Sequence, residues 1–113
     1  MDKPRISIDE FSKIEIKVGT VQSAERVPDT DKLLRLLVDF GEENGPRQIV
    51  SGIAGYVAEP SSLVGRQLAF VTNLEPRTIR GLESNGMLFA VGSGESFAFL
   101  APDRHVPSGT SAH

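Results

Sequence analysis

The densest group of residues able to do chemistry lies at 72–87, TNLEPRTIRGLESNGM. Arg77 and Arg80 stand three apart there, with Asn73, Ser84 and Asn85 close by. A guanidinium is a planar fork of donors that bonds two phosphate oxygens at once. Asn and Ser add neutral donors for phosphate, sugar or base edges. The pattern suits a polyanion; its plainer reading is a pair of solvated loop arginines among turn formers. Catalysis is poorly provided for. His105 sits in a proline-bracketed loop, His113 is the last residue, and neither has metal-ligand spacing around it. Glu42-Glu43 reads as a solvated turn, and Gly92-Ser93-Gly94 lacks the lysine and helix start of a phosphate loop. There is no cysteine, which excludes thiolate zinc sites, iron–sulfur clusters and cysteine nucleophiles. No nucleophile, base and orienting group come together. Neither an enzyme, a cofactor nor a metal site is expected.

The 113 residues are one domain's worth of chain. A composition of 39% hydrophobic and 24% charged residues is that of an ordinary globular domain. The net charge of −3 argues against a strong nucleic-acid binder, since phosphate contact favours a basic footprint. The distribution tempers this. Residues 1–46 carry 7 basic and 10 acidic side chains, and residues 81–113 carry 1 and 3. Residues 47–80 carry 4 arginines against 2 glutamates, a locally basic middle. No stretch has the ~18 apolar residues of a membrane span, and Met1-Asp2-Lys3-Pro4-Arg5 leads into no apolar signal region. A soluble cytoplasmic domain without a membrane partner is expected.

Short strands must position the basic segment. Ser7 and Glu10 before Phe11 form a capping-box pattern, predicting one helical turn. Ile14, Ile16 and Val18 alternate with Glu15 and Lys17, a strand's period, and Gly19 marks a bend or bulge. Leu33–Phe40 and Arg47–Ser51 follow as strands around a Gly/Pro-rich turn. Lys17 and Arg35 fall out of phase with Ile16/Val18 and Leu34/Leu36, so both project outward. Pro60 fits the first turn of a short helix closed by Gly65. Arg66–Thr72 and Met87–Val91 are the fourth and fifth strands, separated by an irregular segment, 73–86. Phe97–Leu100 is a sixth short strand, and Ser108–His113 reads as frayed. Three strands, a short helix and two more strands is the order of an all-β, five-stranded Greek-key barrel of the OB type. An open sandwich of the same elements is the alternative. The expectation is a single domain, 1–113, with its core at 8–92 and a C-terminal extension at 93–109. The apolar sixth strand, with Phe97, Phe99 and Leu100, lies outside the barrel and invites a twofold dimer contact.

Five pieces, in order, resemble the tRNA-binding domain family: KVGTV at 17–21, DKLLRLLVDFG at 31–41, RQIVSGI at 47–53, LVGRQ at 63–67 and the segment 72–87. APDRHVPSG at 101–109 resembles the C-terminal appendix of methionyl-tRNA synthetases. The resemblance implies an OB-fold that binds tRNA by shape as a non-catalytic module. That module is free-standing or appended to the catalytic region of methionyl-tRNA synthetase, and it is a homodimer where the short extension is present. Carried over by position, the RNA-facing residues fall on Lys32, Asn73, Arg77, Arg80, Ser84 and Met87, with Lys17, Arg35 and Ser51 as further candidates. Met87 also fits an ordinary strand-core methionine. Glu75 and Thr78 stand where relatives often carry lysines, and Val27 where many have histidine, which removes positive charge. The competing expectation is a protein-interaction or dimerisation appendix, or a chaperone-like relative, with weak RNA binding.

Overall fold

Ser7 accepts the Glu10 N–H on its Oγ at 3.1 Å and starts a single helical turn, α1 (Ile8–Phe11). The computed structural model describes residues 2–113. Beyond α1 the chain is built of strands: β1 (Ile16–Arg26), β2 (Leu34–Asp39), β3 (Arg47–Ser51), β4 (Gln67–Val71), β5 (Arg77–Ile79), β6 (Leu82–Ser84), β7 (Met87–Leu88), β8 (Ala90–Val91) and β9 (Ala98–Phe99). An antiparallel sheet runs β3–β2–β1–β4–β7, and its edge strands β3 and β7 approach each other to form a nearly closed barrel. This is the five-stranded Greek-key barrel expected. Between β3 and β4 the expected short helix is two 3-10 turns, Ala54–Tyr56 and Pro60–Leu63, with Pro60 at the first position of the second.

Alternation places the core. On β2, Leu34, Leu36 and Val38 point inward while Arg35, Leu37 and Asp39 face out. They meet Val21, Ile49, Leu63, Leu68 and Phe70 in one cluster, in which Phe40 and Phe70 pack edge to face at 5.4 Å. Gly19 is not a bulge. It lies inside β1, where an added Cβ would stand 2.4 Å from Val38 Cγ1 and 2.6 Å from Phe40 Cε1. The glycine lets the core approach the backbone, and the register slip falls between Val21 and Ser23.

Three further expectations change. Residues 73–86 are not irregular, because β5 and β6 form a hairpin there. The fifth strand is split at Phe89, whose N–H bonds Ala69 O at 3.0 Å and whose carbonyl accepts from Leu100 at 3.4 Å. The C-terminus is docked instead of frayed. β2 pairs with β1 only from Thr20 onward, and residues 109–112 take the vacant edge before it. Val18 N–H bonds Thr110 O at 2.9 Å, Gly109 N–H bonds Val18 O at 2.7 Å and Ala112 N–H bonds Ile16 O at 2.8 Å. Gln67 anchors the tail through both amide atoms, donating to Val106 O at 2.6 Å and accepting from Val106 N–H at 3.0 Å.

Candidate nucleic-acid interface

The β5–β6 hairpin carries the basic segment on two turn residues, Arg80 and Gly81, between the paired Ile79 and Leu82. Both turn residues have positive φ, 51° and 78°, as a type I′ turn requires because its twist matches that of the strands. Arg80 thus occupies a left-handed conformation that favours glycine or asparagine. Its guanidinium stands exposed at the hairpin tip.

The hairpin leans on β3, and the seam is closed by side-chain and loop bonds where strand pairing ends. Ser84, 5% exposed, accepts the Val50 N–H on Oγ at 3.0 Å. Asn85 N–H bonds Gln48 O at 2.8 Å, and Gln48 Nε2 donates to Glu83 O at 2.8 Å. Two adjoining hollows result, sharing Leu33 and Ile79. One, of about 280 Å3, lies between β3, the hairpin and β7, and includes Ser51, Arg77, Ser84 and Met87. The other, of about 460 Å3, is an open cleft between the β1–β2 loop and the hairpin tip, with Lys32 and Arg80 on its walls.

The structure therefore brings together Lys32, Ser51, Arg77, Arg80, Ser84 and Met87, and sets Lys17, Arg35 and Asn73 apart. Among the described residues no carboxylate oxygen lies within 4 Å of a Lys32, Arg77 or Arg80 nitrogen. Their charge is available to a ligand. Met87 is no core methionine: it points outward from β7 while Leu88 is buried. Ser84 is at the site, but its hydroxyl is engaged within the barrel. Arg35 projects outward as its phase required, yet its Nε donates to Gln48 Oε1 and an Nη to Glu25 Oε1, both at 2.6 Å. Lys17 pairs with Glu15 at 3.7 Å beside the docked tail and lines neither hollow. Asn73 is a clip: its amide accepts the Glu15 N–H at 2.7 Å and donates to Lys13 O at 2.6 Å, tying the exit of α1 to the end of β4. Leu33 and Ile79, which join the two hollows, were missed as site residues; Leu33 read as a strand apolar and Ile79 as part of an irregular segment.

Arg47, at the start of β3, is occupied in the fold. Its Nε and Nη2 bond both Glu42 oxygens at 2.8 and 2.7 Å, Nη1 donates to Thr72 O at 2.7 Å, and the guanidinium lies over the Phe40 ring. The hydrogen bond from Arg47 holds the Glu42 carboxyl below its ordinary value against the opposing effect of burial, and raises Arg47 in turn. Phe97 and Phe99 are half-buried against their own barrel: Phe97 stacks on Tyr56 at 4.2 Å, and Arg66 covers Phe99. Leu100, 36% exposed, stays outside.

The family model described as "Putative tRNA binding domain" matches residues 16–111. The chain is 50% identical over 108 residues to the methionine–tRNA ligase of Methanothrix thermoacetophila and 44% identical over 104 residues to that of Thermotoga maritima. These matches cover 96% and 92% of this chain but only 16% of either ligase. Among solved structures, a MetRS-related protein from Pyrococcus horikoshii superposes with a TM-score of 0.88 at 38% identity, covering 98% of this chain and 100% of the other. The chaperone CsaA of Bacillus anthracis superposes with a TM-score of 0.83 at 28% identity, covering 97% and 100%.

Proposed function

The chain belongs to the tRNA-binding domain family, and on that premise we propose that it grips tRNA with the face built by the β1–β2 loop, the β5–β6 hairpin and β7. The observation that carries this is the convergence on two adjoining hollows of Lys32, Arg77 and Arg80, none of them ion-paired among the described residues. Loops at these places are where OB barrels take oligonucleotides. Recognition goes by backbone and shape, because A-form RNA buries its base edges in a deep, narrow groove. The module performs no chemistry itself. It raises tRNA affinity for methionyl-tRNA synthesis, either within a ligase chain or as a free-standing companion to the catalytic region. The test is competition: unrelated tRNAs displace a labelled tRNA about equally, and a simple hairpin displaces it poorly. Tight preference for one tRNA species contradicts shape readout.

A second reading concerns assembly. Ile8 is 76% exposed, and Phe11, Ile14 and Leu100 also face solvent. A symmetric partner would cover such patches, so we propose a homodimer with Leu100 at its interface and Phe97 and Phe99 supporting it from behind. Sedimentation equilibrium decides: a dimer at micromolar concentration that Leu100→Asp dissociates supports it, and a monomeric full chain ends it.

A further inference from the structure

The smaller hollow has a composition that phosphate contacts do not explain. Leu33, Leu74, Ile79 and Met87 supply an apolar wall around its 280 Å3. Leu74 and Met87 are 45% and 42% exposed. Large apolar side chains left open in a concavity with a few polar groups are the mark of a ligand pocket. Two observations say what kind. Glu75 lines the hollow together with Arg77, and a carboxylate repels a phosphate while accepting from an exocyclic amino group. Gly52 also lines it, and nothing in the fold requires glycine there. Its backbone is not left-handed, and a Cβ built on it meets nothing within 4 Å. A glycine costs conformational entropy at such a position. As glycine, residue 52 puts no side chain on the wall of the hollow.

We infer that this pocket takes a single unstacked nucleobase from the bound RNA. The inference rests on the tRNA-binding reading above and deepens it. The volume, about 280 Å3, lies just below the ~300–1,000 Å3 range of ligand pockets, enough for one heterocycle and too little for a longer segment. RNA loops and ends are where unstacked bases can be splayed out, and contact with a base's π-face tolerates any sequence. With no tryptophan in the chain, the Met87 thioether supplies the soft, polarizable contact to the ring face. Arg77 shares the pocket and meets the phosphates that flank the extruded base.

Met1 and Met87 are the only methionines, so methyl-13C-methionine labelling of the full chain gives a readable reporter in the pocket. Titration with bulk tRNA moves the Met87 methyl upfield by ring current and leaves it shifted at saturation. Gly52→Val removes the shift and weakens affinity roughly five- to hundredfold, the range a stacked base contributes, with the melting temperature unchanged. Arg77→Ala weakens binding but keeps the shift once saturated. An unmoved Met87 methyl in protein saturated with tRNA overturns the pocket and leaves tRNA binding standing. Absence of any tRNA binding removes both. A shift produced by an apolar peptide but not by tRNA assigns the pocket to a protein ligand and also overturns the inference. Should Gly52→Val fail to fold, the wild-type shift and the affinity of Met87→Ala decide.

Discussion

Replacing Ser84 with alanine distinguishes a hydroxyl that seals the barrel from one that meets RNA. Ser84 Oγ is the acceptor for the Val50 N–H at 3.0 Å, on the β3 edge where strand pairing has ended, and both residues are buried. Its donations to Gly86 O at 3.4 Å and Val50 O at 3.5 Å are long and add little. Alanine removes one oxygen atom, so the cavity cost is small. The main loss is a buried N–H without a partner, worth about 1–3 kcal/mol. For a domain of this size each kcal/mol moves the melting temperature by roughly 4 °C, so a fall of roughly 4–13 °C is expected. The assay pairs a thermal melt with a tRNA titration run well below the variant's transition. Affinity should stay within about twofold, because the hydroxyl is buried and already bonded to the Val50 N–H. An unchanged melting temperature with a tenfold or greater loss of tRNA affinity would refute the sealing role.

Other substitutions test separate parts of the account. Gly19→Ala drives a methyl into Val38 and Phe40 and should cost about 1–3 kcal/mol by overpacking, read by urea denaturation, with tRNA affinity unaltered in the folded fraction. Arg80→Asn should act in opposite directions on two measurements: stability rises by up to ~1 kcal/mol as the left-handed strain is relieved, while tRNA affinity falls by about 1–3 kcal/mol. Glu42 is held below its ordinary 4.5 by Arg47, so its contribution is complete above that pH and is lost as pH falls through the lowered folded-state value. Acid melts should therefore show wild type losing stability more steeply than Glu42→Gln below pH 4.5. Equal slopes would mean the Glu42–Arg47 pair does not contribute.

The barrel was legible because its inward positions are strongly periodic: Leu34, Leu36 and Val38 alternate with polar or outward residues, and β3 matched residue for residue. The hairpin at 77–84 was hidden by its turn, since Arg-Gly lacks the asparagine or aspartate that announces a type I′ loop. Its strands are three residues each, too short to display a period. The tail could not be read locally. Its binding edge is created by β2 ending at Thr20's partner Asp39, a long-range event. The candidate site divides the same way. Arg77 and Arg80 were visible as residues that nothing local engages. Asn73, Ser84 and Arg35 looked equally available, but their partners, Lys13, Glu15, Val50, Glu25 and Gln48, are mostly distant in sequence and adjacent only in the fold.

The most direct test of the central claim is the salt dependence of tRNA affinity for the wild-type chain and for Lys32→Ala, Arg77→Ala and Arg80→Ala. Each variant should lose about 1–3 kcal/mol of binding and flatten the log–log salt slope by up to ~0.7–0.9, with its melting temperature held. If the three together leave affinity and slope unchanged, or lower only the melting temperature, the tRNA is not bound on this face.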